Sequence, residues 1–326
     1  MSEAARESDA ILVVRLGAMG DILHALPAAA SLKLSYPDRK LTWVVDRLWT
    51  PLLLGNPSID RLVAFERRRS ATWLPARREL RAWQYAFAVD FQGLIKSAVV
   101  ARLSGASRIF GFARGEVRER PAALLYTDEV SSSSLHRVDR ALDLAAAAGA
   151  RTLTRDSFLP PGTPEGELPD GPFVLANPFA GWTSKQWPIE YFDRLGSFLQ
   201  AEAGLQLVLN AAPSAAPNLA ALRHARPHYS GIAGLIHATR RAAAVIGVDS
   251  GPLHLAAALR KPGVAIYGPT DPAINGPYGG TLTVLRADGA PTSYARETSI
   301  APSMRAITPE QVWAVLQPAL QRVTHP

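Results

Sequence analysis

The sequence predicts an α/β protein built from two domains that each contain a parallel sheet. Apolar runs typical of buried strands alternate with helical stretches along both halves of the chain, a pattern that indicates parallel sheets. The 326 residues suffice for two domains of ordinary size. Between the halves, residues 151–172 are rich in Pro and Gly and lack periodicity, which is typical of a linker. We therefore expect one domain over 1–158 and a second over 159–326.

In the first half, apolar runs predict three strands, and stretches rich in Ala and Leu predict three helices. The predicted strands cover 11–16, 41–45 and 86–89, and the predicted helices cover 21–34, 94–103 and 137–148.

The same alternation restarts in the second half. The predicted strands cover 173–176, 205–209, 243–248 and 263–267, and a helix is predicted over 189–202. A last helix should begin at Thr308 and Pro309. Thr is a good N-cap, Pro suits the first turn, and Gln311 can complete a capping box.

Composition narrows the class of protein. The chain is 48% hydrophobic and 19% charged, as in globular proteins. It has no cysteine, which excludes disulfides, thiolate nucleophiles and zinc–thiolate sites. The first ten residues mix charges and lack the apolar core of a secretory signal, and no apolar run is long enough to span a bilayer. We therefore expect a cytoplasmic protein.

The net charge of +7 favours anionic partners. The sequence lacks the interleaved aromatic and basic residues and the metal-finger spacing that would indicate nucleic-acid binding. Anionic small molecules or lipid head groups are therefore the expected ligands.

A carboxylate, Asp21, stands where the first predicted strand leads into a helix, a place where ligands bind in open α/β sheets. The preceding Gly17-Ala18-Met19-Gly20 lacks the glycine spacing of dinucleotide-binding loops, and the Walker pattern is absent. A dehydrogenase and a P-loop enzyme are therefore not expected. On this segment alone, capping of the helix by Asp21 is favoured over a chemical role.

A second strand–turn–helix pattern covers residues 245–255. Its turn carries Ser250 and Gly251 followed by Pro, so the amides at the start of the helix form an anion site. Asp249 could accept hydrogen bonds from sugar hydroxyls, and His254 could reach a phosphate or hydroxyl. Lys185 precedes a helix after a predicted strand, where it is either a phosphate ligand or a solvated lysine. The loop 267–272 either closes over the same site or is only turn chemistry.

These segments together resemble the bacterial lipopolysaccharide heptosyltransferases, with heptosyltransferase I as the most similar subgroup. The similarity covers roughly residues 11–320 and is carried by Gly20-Asp21, 90–97, 185–188, 249–255 and 267–272. The resemblance implies a GT-B fold, with two Rossmann-like domains facing a cleft. It also implies an inverting transfer of heptose from ADP-heptose to the Kdo region of lipid A. No metal or cofactor is implied, and contact with the inner membrane would be peripheral, at its cytoplasmic face.

The resemblance also implies roles for single residues. Asp21 matches the catalytic base, and Lys96 and Arg118 match basic positions on the acceptor side. The positions implied for the donor, or adjacent to them in the same two turns, are Thr183, Ser184, Lys185, Asp249, Ser250, Gly251 and His254. The run Arg67–Arg69 could bind the acceptor or form a solvated loop.

Two departures lie on the donor side. Ala180-Gly181 stands where heptosyltransferase I has a pair of Thr residues, and residues 210–215 contain no carboxylate where an acid for the ribose is expected. The alternatives are therefore a transferase that uses another nucleotide sugar on another glycan, and an inert nucleotide-sugar-binding protein.

Overall fold

A computed structural model of the chain describes residues 10–66, 73–219 and 221–324. Contacts divide the chain into two compact units, Met1–Pro160 and Pro161–Pro326. The division falls within segment 151–172, which forms neither helix nor strand and is described throughout. The Arg67–Arg69 run lies outside the described residues, so its role stays a prediction.

The first unit contains a six-stranded sheet in which every neighbouring pair of strands is parallel. Its strands are β1 (Ala10–Val14), β2 (Lys40–Asp46), β3 (Arg61–Phe65), β4 (Tyr85–Asp90), β5 (Arg108–Phe112) and β6 (Asp128–Val130). Its helices are α1 (Met19–Ser35), α2 (Trp73–Arg81), α3 (Ile95–Leu103) and α4 (Arg137–Ala147). The spatial order β3-β2-β1-β4-β5-β6 is that of doubly wound nucleotide-binding sheets.

The second unit repeats this design. Its strands are β7 (Phe173–Asn177), β8 (Gln206–Ala211), β9 (Ala225–Tyr229), β10 (Ala244–Val248), β11 (Gly263–Tyr267) and β12 (Leu282–Arg286). Its helices are α5 (Ile189–Phe198), α6 (Ile232–Arg241), α7 (Gly251–Ala258), α8 (Pro272–Asn275), α9 (Pro302–Arg305) and α10 (Pro309–Thr324). The order β12-β11-β10-β7-β8-β9, again all parallel, is the first unit's order counted from β7. The predicted α/β class with parallel sheets is confirmed.

The central strands are apolar because both of their faces are covered. Every residue of β1, β7 and β10 is buried, as expected for strands inside parallel sheets. Trp187 adds to the core of the second unit, where it is 1% exposed and its Nε1 donates to the carbonyl of Ile307 at 2.8 Å. In the described part of the chain, no helix combines the length and apolar character that crossing a bilayer requires.

Two helix starts test the capping interpretations. Thr308 and Gln311 form the predicted capping box, because Gln311 N donates to Thr308 Oγ1 at 3.3 Å and Thr308 N donates to Gln311 Oε1 at 2.8 Å. Asp21 does help to cap its helix, but from the third helical position and not from the N-cap position as predicted. Helix α1 begins at Met19 with Ala18 as its N-cap, so Asp21 is its third residue. From there its carboxylate accepts a bond from Ala18 N at 3.4 Å, as acids at this position often do.

Candidate active site

Except for Arg118, which follows β5, the predicted site residues of each unit follow its two central strands. These strands are β1 and β4 in the first unit and β7 and β10 in the second, and the strand order reverses between them. Ligands of open α/β sheets bind outside the carboxyl ends of the strands at this reversal. We describe the two groups separately, as the Asp21 cluster (Arg15, Asp21, Arg118, Arg137) and the Lys185 cluster (Lys185, Asp249, His254, Thr270, Asn275).

The Asp21 cluster is a carboxylate surrounded by guanidinium groups. Asp21 Oδ2 lies 2.7 Å from Arg15 Nη2 and 3.9 Å from Arg118 Nη1. Burial alone would raise the pKa of the Asp21 carboxyl, but the charges of Arg15, Arg118 and Arg137 outweigh it and hold the pKa below its ordinary value. The Asp21 side chain is 29% exposed, so an ionised carboxylate remains accessible.

Arg15 is held in place by the end of β4. Its side chain is 9% exposed, and its guanidinium donates to the carbonyl of Phe91 as well as contacting Asp21. The neighbouring Leu16 N donates to Gln92 Oε1 at 2.7 Å. These contacts follow from the parallel register that pairs Val14 with Asp90. Sequence reasoning missed Arg15, although a charged residue directly after a buried strand is a signal that could have identified it.

Asp90 has a structural role. It is fully buried and accepts hydrogen bonds from Ser97 Oγ and Tyr126 Oη, both at 2.7 Å, and from Gln92 N at 2.9 Å. Burial raises the pKa of the Asp90 carboxyl despite these bonds. Asp90 therefore fixes the loop that supports Arg15 and is not accessible to a ligand.

The structure brings Arg118 to Asp21 but gives Lys96 no such contact. Glu119 positions the loop, since its N–H donates to the Gly93 carbonyl at 3.1 Å and its carboxylate accepts from Ile95 N at 2.8 Å. Arg118 is exposed next to it. Lys96 is also exposed, near the start of α3, and makes no ion pair with any described residue.

The Lys185 cluster is centred on Asp249, a carboxylate with several donors around it. Asp249 Oδ2 lies 2.6 Å from Lys185 Nζ and accepts from Thr270 Oγ1 at 2.7 Å, and Asn275 Nδ2 is 3.3 Å from Oδ1. His254 Nε2 lies 3.7 Å from Oδ1. Burial opposes ionisation, but His254 and Lys185 outweigh it and hold the pKa of Asp249 well below its ordinary value.

The remaining predicted donor residues lie in the turns that carry this cluster. Thr183, Ser184 and Lys185 form one 3-10 turn after β7. Ser250 is the N-cap of α7, and Gly251 is its first residue. The loop after β11 contributes Thr270, which donates to Asp249. Of the two interpretations of this loop, the structure therefore agrees with the one that places it next to the Lys185 cluster. Thr270 and Asn275 themselves were missed, because only the tertiary fold places them against Asp249.

The segment 210–215 holds no acid, and Asn210 is already engaged. Asn210 Oδ1 accepts from Ser230 Oγ at 2.7 Å and lies 2.8 Å from His228 Nδ1. Across the described ranges, no group of three or more His, Asp or Glu side chains is arranged to hold a metal ion.

Comparisons with known proteins agree with this architecture. The sequence pattern of glycosyltransferase family 9 (heptosyltransferase) matches residues 73–304. The chain is 31% identical over 304 residues to lipopolysaccharide heptosyltransferase 1 of Escherichia coli K12, covering 85% of this chain and 93% of that protein. It is 29% identical over 300 residues to lipopolysaccharide heptosyltransferase 1 of Pseudomonas aeruginosa, covering 85% and 84%.

A solved structure shows the same fold. E. coli heptosyltransferase WaaC with ADP superposes with a TM-score of 0.76 at 25% identity, covering 95% of this chain and 99% of that chain. WaaC with ADP-2-deoxy-2-fluoro heptose gives a TM-score of 0.75, also at 25% identity, covering 93% and 98%. The chain therefore belongs to glycosyltransferase family 9, the heptosyltransferases, and is a glycosyltransferase with the GT-B fold.

Proposed function

We propose that this protein transfers heptose from ADP-heptose to the Kdo region of lipid A in the assembly of the lipopolysaccharide inner core, with inversion and without a metal ion. The relatives named lipopolysaccharide heptosyltransferase 1, and the WaaC structures with ADP and with an ADP-heptose analogue, support this substrate pair. The observation that carries the chemistry is Asp21, an accessible carboxylate held ionised after β1.

Asp21 is the proposed general base. The acceptor hydroxyl forms a bond to the anomeric carbon of the donor as the bond from that carbon to ADP breaks, and attack from the opposite face inverts the configuration. The hydroxyl proton passes to Asp21 during this step. Arg15, Arg118 and Ala18 N all contact Oδ2, so we assign the proton to Oδ1.

The Lys185 cluster is the proposed donor site. A transferase that uses no metal must neutralise the leaving diphosphate with its own groups. Lys185 supplies a cation, and the start of α7 at Ser250 and Gly251 supplies backbone amides and the positive end of a helix dipole. Asp249 holds Lys185 in position at 2.6 Å. His254, Thr183 and Ser184 complete the proposed set.

The acceptor is acidic, and exposed cations suit it. Arg118 and Lys96 are proposed to bind the carboxylates and phosphates of the Kdo–lipid A acceptor. A lipid acceptor also implies peripheral contact with the cytoplasmic face of the inner membrane, and this contact is part of the proposal.

One observation favours a competing candidate, a transferase that uses another nucleotide sugar. Segment 210–215 has no acid to bind a ribose, and Asn210 Oδ1 cannot replace one because it already accepts a hydrogen bond from Ser230. Calorimetric titration with ADP, UDP and GDP, followed by turnover of ADP-heptose with Kdo–lipid A, distinguishes the candidates. We expect binding of ADP and release of ADP on turnover. Tighter binding of UDP or GDP would select the competing transferase, and ADP binding without turnover would indicate an inert binding protein.

Replacing Asp21 with Asn tests the base directly. Loss of the proton acceptor should lower kcat by about 10²- to 10⁴-fold while the affinity for ADP stays close to that of the wild type, since the donor contacts belong to the second unit. The matched control is Asp38→Asn, which removes an exposed carboxylate from the turn after α1 and should leave kcat unchanged. A wild-type kcat in Asp21→Asn would exclude Asp21 as the base.

A further inference from the structure

The loop that follows β12 places an arginine beside the Lys185 cluster. Arg296 Cζ lies 5.3 Å from the centroid of the Trp182 ring, and Lys185 Nζ lies 4.2 Å from the same centroid. Both distances are within the range of cation–π contacts. One indole ring therefore contacts two cations that come from distant parts of the sequence.

Hydrogen bonds on both sides of Arg296 attach its loop to the segments that carry the Lys185 cluster. Ser293 N donates to the carbonyl of Pro269, the residue before Thr270, at 2.7 Å. Ala301 N donates to the carbonyl of Ser184, the residue before Lys185, at 3.3 Å. The position of Arg296 is thus tied to the donor turns and is not that of an isolated surface side chain.

Without Arg296, the positive charge of the donor site is smaller than the negative charge of a diphosphate. The charge of Lys185 is compensated by Asp249 at 2.6 Å, and the start of α7 adds only about half a positive charge. A nucleoside diphosphate brings two ionised phosphoryl groups, so these groups alone do not neutralise it. Arg296 is exposed and has no carboxylate partner in the ranges that the structure describes.

Buried polar atoms at the same edge of the sheet also indicate a polar ligand. Asn177, at the end of β7, and Ser184 are each 2% exposed. Both amide atoms of Asn177 and the hydroxyl of Ser184 lack a hydrogen-bond partner among the described residues. Buried polar groups are nearly always satisfied by protein, water or ligand, so water or a polar ligand at this edge would supply the partners of these atoms.

We propose that Arg296 is a second diphosphate-binding cation of the donor site, held against Trp182 so that its guanidinium N–H groups bind the phosphoryl oxygens. The contact with the ring occupies none of the guanidinium N–H groups by a hydrogen bond to a carboxylate, and two parallel N–H donors match a phosphate. The inference rests on the proposed function in one respect, namely that the donor is a nucleoside diphosphate sugar.

Calorimetric titration of Arg296→Gln with ADP, AMP and adenosine tests this role. We expect the affinity for ADP to fall about tenfold, the size of a lost charge-assisted contact, and the affinity for adenosine to stay unchanged. Arg296→Lys, which keeps the charge without the planar fork, should be intermediate. Lys185→Ala serves as the positive control and should also lower the affinity for ADP. The negative control is Arg223→Gln. Arg223 is exposed and precedes β9, so it lies at the end of the same sheet where the strands begin, opposite the Lys185 cluster.

The outcomes separate this inference from the proposed function. If the wild type binds ADP and Arg296→Gln binds it equally well, the Arg296 assignment is wrong and the proposed function stands. Equal losses for ADP and adenosine would also overturn it, because they would indicate a general distortion of the site. If the wild type prefers UDP or GDP, the same series is measured with that nucleotide and its monophosphate and nucleoside. A wild type that binds none of the three diphosphates overturns both proposals.

Discussion

The ion pair between Asp21 and Arg15 has opposite effects on Asp21 as a base. A cation 2.7 Å from the carboxylate lowers its pKa, which weakens its attraction for a proton at neutral pH. The same cation keeps the carboxylate ionised and fixes its orientation. Arg15 does not touch the reacting atoms in the proposed reaction, so it acts as a positioning residue for Asp21.

Arg15→Gln should therefore move the pH profile. In the wild type the pKa of Asp21 is below its ordinary value, so the acidic limb of kcat/KM should lie below about pH 4. Without the Arg15 charge, the effect of burial on the pKa gains weight and the limb should move to higher pH. Arg15→Lys retains the charge and should keep the limb low. A limb at the same pH in Arg15→Gln would contradict the positioning role.

The same ion pair contributes to stability in a defined pH range. Because the native pKa of Asp21 is depressed, the pair stabilises the fold above the ordinary carboxyl pKa, and this stabilisation is lost as the pH falls through the native value. The difference in free energy of unfolding between wild type and Arg15→Gln should thus shrink on acidification, which urea titrations at pH 7 and at about pH 3 can measure.

The sequence was sufficient to locate much of the candidate site but not its supporting residues. Asp21, Lys185 and Asp249 stand out because charged residues in the segments that lead from an apolar strand into the next helix have no evident packing role. Thr270 and Asn275 resemble ordinary turn residues, and only the fold shows that both contact Asp249.

At the scale of elements, the turn between β1 and α1 depends on a glycine. Gly17 has a φ of +152°, and a Cβ on it would lie 2.7 Å from the indole nitrogen of Trp49. Trp49 comes from the 3-10 turn after β2. The close contact of this ring with the backbone helps to set the path by which the chain enters α1 and presents Asp21.

Gly17→Ala should destabilise the protein by about 1–3 kcal/mol, since the added methyl group meets both an unfavourable φ and the Trp49 ring. Chemical denaturation measures this loss. Trp49→Ala combined with Gly17→Ala removes the steric part only, so the double variant should lose less than the sum of the two single losses. Strict additivity would show that Trp49 does not restrict this position.

The strands that the sequence predicts all lie inside their sheets. The four edge strands β3, β6, β9 and β12 escaped prediction, because less of their surface is packed. Strand β5 also escaped prediction, although it lies inside the first sheet and its middle residues are buried, because its apolar run is short and interrupted by Gly111. Strand β6 is only Asp128–Val130, and β9 contains Pro227 and His228, residues that are usual at an edge but weak as a strand signal. The start of α10 was predictable because its capping box is local in sequence.

At the scale of the whole molecule, the net charge of +7 suits the proposed acidic acceptor. Long-range attraction is screened over about 10 Å at 0.1 M salt and about 3 Å at 1 M. The KM for the Kdo–lipid acceptor should therefore rise with salt. Arg118→Gln should reduce that slope, whereas Arg223→Gln should retain it. An unchanged slope in Arg118→Gln would remove Arg118 from the acceptor site.

The identical strand order of the two units allows their residues to be matched by strand. Asp21 follows the first strand of its unit, and the Lys185 turn follows the first strand of the other. Asp90 ends the fourth strand and Asp249 follows the fourth strand of its own unit. After the first strand, equivalent segments of the two units thus carry opposite charges, those of Asp21 and Lys185. At the end of the fourth strand both units carry an acid, and Asp90 and Asp249 differ in accessibility. The topology supplies positions, and in the proposed reaction the side chain at each position decides whether it accepts a proton or binds a phosphate. To make one of these units bind the substrate of the other, an engineer would therefore have to exchange the turns that follow the strands, while the sheets could stay as they are.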